Sequence, residues 1–336
     1  MTTLKLSVAL VFGFLATIPV SRGWDNPGHM AIAGLAYDEL SSQQQKNLAN
    51  LIRKHPGFNL ITESFPDPDI DDRDLVMAAA TWPDLAKQDT KHYHHNGYEK
   101  NDPPVTHVEY STNMHKGYHF VDTPYWVGQG PAPSTLPDVP RVNATNVVNV
   151  LLAQLKNGEP DPAKAYDLGW LLHLVGDIHQ PLHAVTGVSE LLKDGDTGGN
   201  AVRLTSAHDG GVTDGVSDLH SFWDDILGKS AHLDSQRHAR LDEDATTANE
   251  IIDVVRKLKL PASAQKLEPA LWANESFNLA KRDAYSIKPF VSHNTEGDEI
   301  LKMTLTEDYR TTAVKDARKR IRVAGHRLAL LLKQIL

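Results

Sequence analysis

Two pairs of imidazole and carboxylate side chains are spaced so that each pair could close on one metal ion. His173 and Asp177 are four residues apart in the apolar segment WLLHLVGD, and His220 and Asp224 repeat this spacing in LHSFWD. Residues four apart on a helix leave the same face about one turn apart. Either pair alone would more often belong to a packed core. Two such pairs favour metal binding, since a carboxylate in an apolar helix is costly to bury without a cation or hydrogen bonds.

The composition restricts this chemistry to nitrogen and oxygen donors. The 336-residue chain has 17 histidines and no cysteine, which excludes disulfides, thiolate metal sites and thiol nucleophiles. His183 follows Pro181, which ends the predicted helix and allows the chain to return a third donor. A formal net charge of -9 argues against a broad basic surface for nucleic acid but leaves local cationic sites open.

Helical patterns cover most of the chain and would position these donors. Strand patterns are few, and two long stretches rich in Pro, Gly, His and Asn, 87–116 and 123–141, are predicted to be irregular. We therefore expect an all-α architecture, a single mostly helical domain over 24–336 with a few short strands and long loops around the metal site. The predicted helices are 42–54, 72–81, 143–156, 161–178, 218–227, 242–258, 269–285 and 307–335, and the predicted strands are 118–121 and 201–204.

The first 23 residues predict a secretory signal peptide. Lys5 precedes an uncharged run over 6–20, and small residues at 21 and 23 suit a signal peptidase. This run of 15 residues is shorter than the roughly 20 that a membrane span needs, although an uncleaved anchor is the alternative interpretation. Cleavage after Gly23 would make Trp24 the first residue, in a secreted or periplasmic protein without a membrane anchor.

The motifs, taken in order, resemble those of S1/P1-type nucleases, secreted trinuclear zinc enzymes related to bacterial zinc phospholipases C. They are WDNPGH, ATWPD, YHFVD, HLVGDIHQPLH and LHSFWD, and together they cover nearly all of the chain after residue 23. Fungal and plant members carry disulfides, so the absence of cysteine points to the bacterial branch. The resemblance implies nine metal ligands: Trp24, through its free amino nitrogen and carbonyl oxygen, and His29, Asp84, His119, His173, Asp177, His183, His220 and Asp224.

The resemblance also divides these ligands among three Zn²⁺ ions per chain. Nitrogen and oxygen donors without thiolate agree with catalytic zinc. Two cations bridged by one carboxylate should lie roughly 3.5–4 Å apart. One ion would be held by Asp84, His119, His173 and Asp177, a second by Trp24, His29 and the other oxygen of Asp177, and the third by His183, His220 and Asp224.

The activity that the resemblance implies is hydrolysis of single-stranded DNA and RNA to 5′-nucleotides, together with 3′-nucleotidase activity on 3′-nucleotides and no obligate protein partner. Asp84 would also orient the nucleophile. Lys87 stands where many relatives carry arginine, so it would contact the phosphate or the transition state as a point charge rather than a fork. The alternative for Lys87 is a solvated lysine.

Base recognition is predicted for four further residues. Phe120 resembles the residue of the family that stacks on a base, and Asp122, Gly198 and Asn200 resemble the partners of the base edge. Plain core packing is the alternative for Phe120, and an ordinary turn is the alternative for the Gly-Gly-Asn run at 198–200.

Two other functions stay open at this point. A zinc-dependent phospholipase C shares the His-x3-Asp-x5-His core, but it would carry glutamate where this chain has Asp224, and Phe120 with the Gly-Gly-Asn run suits bases. A non-catalytic periplasmic zinc-binding protein would need no stacking aromatic residue.

His179, which leaves the helix on a different face from Asp177, is interpreted as structural. The remaining histidine cluster comprises His92, His94 and His95. It is interpreted as part of a solvated loop, and an adventitious surface metal site is the alternative.

Overall fold

The computed structural model describes residues 24–63, 70–94, 103–157, 160–228 and 241–336, and most of these residues are helical. The expectation of a mostly helical all-α protein with a few short strands is confirmed. Within the described ranges, no helix combines the length and apolar character that crossing a bilayer requires. The α-helices are α1 (Asn26–Asp38), α2 (Ser42–Ile52), α3 (Phe58–Thr62), α4 (Asp72–Ala79), α5 (Trp82–Gln88), α6 (Ala144–Lys156), α7 (Asp161–His179), α8 (Leu219–Asp225), α9 (Leu241–Val255), α10 (Pro269–Leu279) and α11 (Glu307–Ile335). The strands are β1 (Thr123–Trp126), β2 (Val185–Val188), β3 (Val202–Leu204), β4 (Phe290–His293) and β5 (Glu299–Met303).

Side-chain caps explain where several of these helices begin. Asp25 accepts a hydrogen bond from the Gly28 N–H at the start of α1, and Asn143 accepts one from Asn146 at the start of α6. Ser41 forms a capping box at the start of α2. Each cap satisfies backbone N–H groups that the first turn of a helix leaves without an intrahelical partner.

The core is built around α1 and α7. Every residue of α1 from Asn26 to Tyr37 is buried, and so is every residue of α7 from Ala165 to His179. Helix α1 packs against α4, α9 and α11, whereas α7 packs against α6, α10 and α11. A helix that is surrounded on all sides places even its polar residues in the protein interior, so His173 and Asp177 lie deep in the core.

The predicted strand over 118–121 is wrong. Residues Lys116–His119 form a 3₁₀ helix, and the strand begins later, at Thr123, where β1 pairs in parallel with β2. The Tyr118 N–H donates to the His115 carbonyl at 2.8 Å, which closes the helical turn that leads to the fully buried His119. The alternating pattern of this segment thus reflects burial of His119 beside α7 rather than a sheet face. The predicted strand over 201–204 is confirmed as β3.

Other boundaries also differ from the sequence prediction. The stretch predicted to be irregular from residue 87 starts later, because α5 continues to Gln88. The helix predicted over 269–285 ends at Leu279 and continues as a π-helical turn, Ala280–Ala284. Strands β4 and β5 were not predicted and join β3 in a three-stranded sheet of order β3-β5-β4. Strand β4 is largely exposed, so its sequence lacks a clear alternation of apolar and polar residues.

A buried ion-pair network fixes the carboxyl end of α7. The guanidinium of Arg327, fully buried on α11, donates to both Glu275 oxygens at 2.8 and 2.9 Å and lies 2.8 Å from His179 Nε2. The other ring nitrogen, His179 Nδ1, lies 2.7 Å from the Val175 carbonyl oxygen. His179 therefore has a structural role, as its position in the sequence predicts.

We expect Arg327→Met to lower the free energy of unfolding by about 3 kcal/mol, because it removes one of the two buried guanidinium partners of Glu275 and leaves the His179 Nε2 without its partner. Urea unfolding followed by circular dichroism measures this loss. Arg53→Met is the matched control, because its ion pair with Asp72 is well exposed and should contribute less than about 1 kcal/mol. Equal losses of unfolding free energy in the two variants would contradict the expectation that the buried ion pair contributes more to stability than the exposed one.

Candidate metal centre

Eight of the nine predicted ligands have side chains that the structure brings into one buried region. They come from α1, α5, α7, α8 and the two 3₁₀ turns Lys116–His119 and Pro181–Ala184. Their exposed fractions do not exceed 5%. This set comprises His29, Asp84, His119, His173, Asp177, His183, His220 and Asp224.

Asp177 lies at the centre of this region. Its Oδ2 is 2.9 Å from His119 Nδ1 and 3.2 Å from His173 Nε2. Its Oδ1 is 3.4 Å from His29 Nε2 and 3.5 Å from His183 Nδ1. The two oxygens of one carboxylate therefore face two different groups of imidazoles, which is the arrangement that a bridging ligand needs.

Three clusters of donor atoms could each hold a metal ion, with the donor atoms of each cluster within 4.8 Å of one another. The third agrees with the predicted grouping, whereas the first two differ from it: His173 rather than Asp177 is the shared residue, and Asp177 belongs to the second cluster. Asp84 Oδ1 lies 3.6 Å from His173 Nε2. The first cluster contains Asp84, His119 and His173, the second contains His29, His173 and Asp177, and the third contains His183, His220 and Asp224.

The third cluster has the geometry of a cation site. His183 Nδ1 lies 2.8 Å from the His119 carbonyl oxygen, and His220 Nδ1 lies 2.7 Å from the Gly198 carbonyl oxygen. Carbonyl oxygens only accept, so both protons are on Nδ1 and both Nε2 atoms carry lone pairs. These two Nε2 atoms are 3.2 Å apart. In the neutral rings both Nε2 atoms can therefore bind one cation beside the Asp224 carboxylate, so the residues fit a metal ion.

The second cluster also has polar atoms that suit a cation. Neither ring nitrogen of the fully buried His29 makes a hydrogen bond within the described part of the chain. The His29 ring stacks on that of His173 with centroids 3.9 Å apart, and His173 Nδ1 lies 2.8 Å from the Ala80 carbonyl oxygen. Gly176 allows the His29 ring to lie this close to α7, since a Cβ atom at position 176 would be 2.7 Å from His29 Nδ1.

Burial and charge set the protonation states of these donors. Burial lowers the pKa of His119 to about 4 and that of His183 to about 3, so both rings are neutral at pH 7. Burial alone would raise the pKa of Asp177, but His173 and His183 outweigh it and hold that pKa well below its usual range. Neutral imidazole and ionised carboxylate are the forms that bind metal ions.

Asp224 differs from Asp177 because burial raises its pKa well above the usual range. Gln180 Nε2 donates to Asp224 Oδ1 at 2.6 Å and counteracts this shift only in part. His220 Nε2 lies 3.3 Å from Asp224 Oδ2. A divalent cation in the third cluster would supply the positive charge that keeps this carboxylate ionised.

Lys87 is buried and not solvated, which excludes the alternative interpretation of this residue. Its side chain is 2% exposed, and its Nζ lies 2.5 Å from Asp84 Oδ1. Lys87 and neighbouring histidines together hold the pKa of Asp84 below its usual value despite the opposing effect of burial. A positive charge therefore lies at the edge of the first cluster.

Two of the four residues predicted to bind a base, Phe120 and Gly198, contact the third cluster. The half-buried ring of Phe120 is 4.6 Å from the His183 ring, centroid to centroid. Gly198 is connected to the cluster through its carbonyl, which faces His220, and a Cβ atom at this position would lie 2.5 Å from the Leu182 carbonyl oxygen. Asn200 is 5% exposed, and its Oδ1 makes no hydrogen bond within the described residues. Asp122, two residues after Phe120, has a left-handed backbone with φ of 52°.

Two residues that support the site were missed by the sequence analysis. Gln180 connects Asp224 to the turn after α7, since its Oε1 accepts from the Leu182 N–H at 2.5 Å. Asp196 is fully buried and accepts from the N–H groups of Gly187 and Gly199. The sequence offered one signal for each residue. Gln180 lies inside the HQPLH motif, and Asp196 lies two residues before the Gly-Gly-Asn run.

Asp196 gives the protein a predictable dependence of stability on pH. Burial raises the pKa of its carboxyl to about 6, although Tyr285 and two backbone N–H groups act to lower it. A pKa that is higher in the folded than in the unfolded state adds stability below pH ~4, and this contribution is lost as pH rises through 6. Between pH 4 and 7 the free energy of unfolding of the wild type should therefore fall by about 3 kcal/mol relative to that of Asp196→Asn. Urea unfolding of both zinc-saturated proteins measures the difference, and parallel profiles would contradict it.

The other predicted residues are Trp24, the histidines of the first long loop and the signal peptide. Trp24 is fully buried, and the N–H of the next residue, Asp25, donates to the Asp224 carbonyl at 3.2 Å. His92 is exposed and lies 2.7 Å from Asp89 Oδ2, which agrees with a solvated loop. His94 is also exposed. His95 and the predicted signal peptide lie outside the described residues.

The fold and these clusters define a mostly helical protein with buried groups of histidine and aspartate that could bind metal ions, as metal-dependent hydrolases require. The chain belongs to the S1/P1 nuclease family, because the sequence profile described as S1/P1 Nuclease matches residues 24–336. This match confirms the family that the motifs predict.

Three characterised relatives share parts of this sequence. Endonuclease 5 of Arabidopsis thaliana is 32% identical over 170 residues, which cover 49% of each chain. Nuclease S1 of Aspergillus oryzae is 25% identical over 222 residues, or 65% of this chain and 58% of its own. Endonuclease 4 of Arabidopsis thaliana is 32% identical over 172 residues. The matched segments thus span about half the length of the two plant relatives.

Proposed function

We propose that this protein is a zinc-dependent phosphodiesterase that hydrolyses single-stranded DNA and RNA to 5′-nucleotides and also removes phosphate from 3′-nucleotides. The observation that carries this proposal is the position of Asp177, whose two oxygens face different imidazole groups at 2.9–3.5 Å. Family membership and the names of the nuclease relatives support the same reaction class.

The proposed cofactor is three Zn²⁺ ions, one for each cluster of buried donors. Nitrogen and oxygen ligands without thiolate fit catalytic zinc. When bound, the zinc ions would polarise the phosphodiester and acidify a water molecule toward neutral pH. The three clusters of donor residues support this number. They are Asp84 with His119 and His173, His29 with His173 and Asp177, and His183 with His220 and Asp224. Trp24 completes the proposed set of nine ligands.

The charged residues at the first cluster would position the reacting groups. Asp84, between His173 and Lys87, would orient the attacking water by accepting its hydrogen bond. The Lys87 ammonium would then contact a nonbridging phosphate oxygen, where a positive charge stabilises the transition state more than the ground state.

Substrate recognition would take place beside the third cluster. The Phe120 ring would stack on a base, which contributes about 1–3 kcal/mol with little sequence preference. The Asn200 Oδ1, which makes no hydrogen bond within the described residues, would accept one from the base edge, and Asp122 and the Gly198 backbone would be further partners. A stacked base must be unpaired, so this arrangement favours single strands over duplexes.

The first test uses the zinc-loaded protein that begins at Trp24. It is incubated with single-stranded DNA, RNA, duplex DNA, a 3′-nucleotide and phosphatidylcholine vesicles. We expect 5′-nucleotides from both single-stranded polymers, free phosphate from the 3′-nucleotide and slower cleavage of the duplex. Release of phosphocholine with intact polymers would instead establish a phospholipase C, and zinc binding without turnover would establish a storage protein.

We further propose that removal of Met1–Gly23 activates the enzyme in a secreted or periplasmic compartment, and that the absence of cysteine reflects a bacterial origin. The liberated Trp24 amine would be a zinc ligand, whereas an amide nitrogen is not an available donor. The hydrogen bond from Asp25 to Asp224 supports this idea, because it holds the start of α1 against the metal site.

A protein that keeps one or more residues before Trp24 should therefore bind one zinc ion fewer and lose at least about tenfold in kcat/KM. Elemental analysis and steady-state kinetics measure both effects. The matched control is the same preparation after a protease has exposed Trp24, which should recover both. Full activity with three zinc ions in the extended protein would contradict this activation step.

A further inference from the structure

The backbone of the turn at 197–199 is in an unusual conformation. Thr197, Gly198 and Gly199 have φ angles of 53°, 66° and 88°, so three consecutive residues are left-handed. For a β-branched residue such as threonine this conformation is strained, and it persists only where the surrounding structure enforces it. The turn therefore needs an anchor.

Asp196 is that anchor. Its Oδ1 accepts hydrogen bonds from the N–H groups of Gly199 at 2.9 Å and Gly187 at 2.7 Å, and its Oδ2 accepts from the Tyr285 hydroxyl at 2.7 Å. The carboxylate is fully buried and has three neutral donors around it. A buried carboxylate is costly, and its hydrogen bonds fix the turn relative to β2 and to the end of α10.

Tyr285 is placed by the π-helical turn Ala280–Ala284. Its N–H donates to the Ala280 carbonyl at 2.9 Å, which widens the last turn after α10 and turns the phenol ring toward Asp196. Single π-helical turns of this kind are frequent at functional sites because they redirect a side chain. The Tyr285 side chain is buried, so its hydroxyl has a fixed position.

The anchored turn presents two groups to the proposed active site. The Gly198 carbonyl oxygen lies 2.7 Å from His220 Nδ1, and Asn200 follows with its Nδ2 bound to the Thr197 carbonyl at 2.6 Å. That bond orients the Asn200 amide, so the position of its Oδ1, which has no partner in the part of the chain that the structure describes, depends on the same turn. We propose that Asp196 and Tyr285 are positioning residues for base recognition, and that they hold Asn200 where it meets the base of the substrate. This inference rests on the proposed function.

The test compares the affinities of zinc-loaded variants for adenosine 5′-phosphate and ribose 5-phosphate by titration calorimetry. Both ligands carry the same phosphate and ribose. The Kd for ribose 5-phosphate divided by the Kd for adenosine 5′-phosphate therefore isolates the contribution of the base. In the wild type this ratio should be about 5–150, the range that stacking on one base provides.

Asp196→Ala should reduce this ratio about tenfold, because the turn loses all three hydrogen bonds. Asp196→Asn should stay within about threefold of the wild type, since the amide oxygen still accepts from both glycines and the Tyr285 hydroxyl can accept from the amide. Tyr285→Phe, which keeps the ring, should reduce the ratio about threefold.

Tyr309→Phe is the matched control. Its hydroxyl is also buried and donates to the Ala284 carbonyl at 2.8 Å, so the variant loosens the same π-helical turn without touching Asp196. Its ratio should equal that of the wild type. The inference is wrong if folded, zinc-loaded Asp196→Ala and Tyr285→Phe keep the wild-type ratio, or if Tyr309→Phe changes it as much as Tyr285→Phe. A wild type that binds neither ligand rejects the proposed function itself, and the inference with it.

Discussion

Substitution of Asp177 by asparagine is expected to lower kcat/KM on single-stranded DNA by at least about a thousandfold, equivalent to about 4 kcal/mol of transition-state stabilisation. The amide has nearly the same shape but no charge and only one oxygen. Asp177 belongs to the second cluster, and its Oδ2 also lies 2.9 Å from His119 of the first, so one substitution should impair both. Elemental analysis should also show the loss of at least one zinc ion.

The control for this prediction lies on the same helix. Asp167 is buried on α7 and accepts a hydrogen bond from Gln154 Nε2 at 3.0 Å. Asp167→Asn should reduce stability but keep zinc content and kcat/KM within about threefold of the wild type. If Asp177→Asn retained a tenth or more of the activity, the bridging role would have to be abandoned.

Removal of zinc should lower the melting temperature by about 10 °C or more. A ligand present at a thousand times its Kd stabilises the folded state by about 4 kcal/mol per site. In a protein of this size each kcal/mol corresponds to about 2 °C or slightly less. Without the ions, the buried Asp224 carboxylate also loses the positive charge that would keep it ionised.

Calorimetry with excess EDTA measures this shift, and EDTA already saturated with zinc is the control for effects of the chelator itself. Asp177→Asn should show a smaller shift because it begins with fewer bound ions. An unchanged melting curve, with zinc loss verified by elemental analysis, would show that the metals do not stabilise the fold.

The helices and their metal ligands could be predicted because both depend on local spacing. Four-residue spacing placed His173 with Asp177 and His220 with Asp224, and the structure finds both pairs within 3.3 Å. Capping residues such as Asn143 likewise act within one turn of a helix. Interactions of this range leave a direct signal in the sequence.

The missed features depend on partners that are distant in the sequence. Strand β1 exists because it pairs with β2, which follows about 60 residues later, and no local pattern identifies such a partner. The prediction over 118–121 was wrong for the related reason that burial of His119 imposes a turn there. The role of Asp196 could not be predicted either, since its hydroxyl partner Tyr285 is 89 residues away.

The burial of α1 has a consequence for how the chain acquires its structure. This helix, at the beginning of the described chain, is covered by α9 and α11, so part of its apolar surface stays open to water until α11 has been synthesised. At one crossing Gly325 of α11 lies so close to α1 that a Cβ atom would be 2.6 Å from Leu35 Cβ. A ribosome-bound or prematurely terminated chain therefore lacks a finished interior and is a substrate for chaperones and proteases rather than a partially working catalyst.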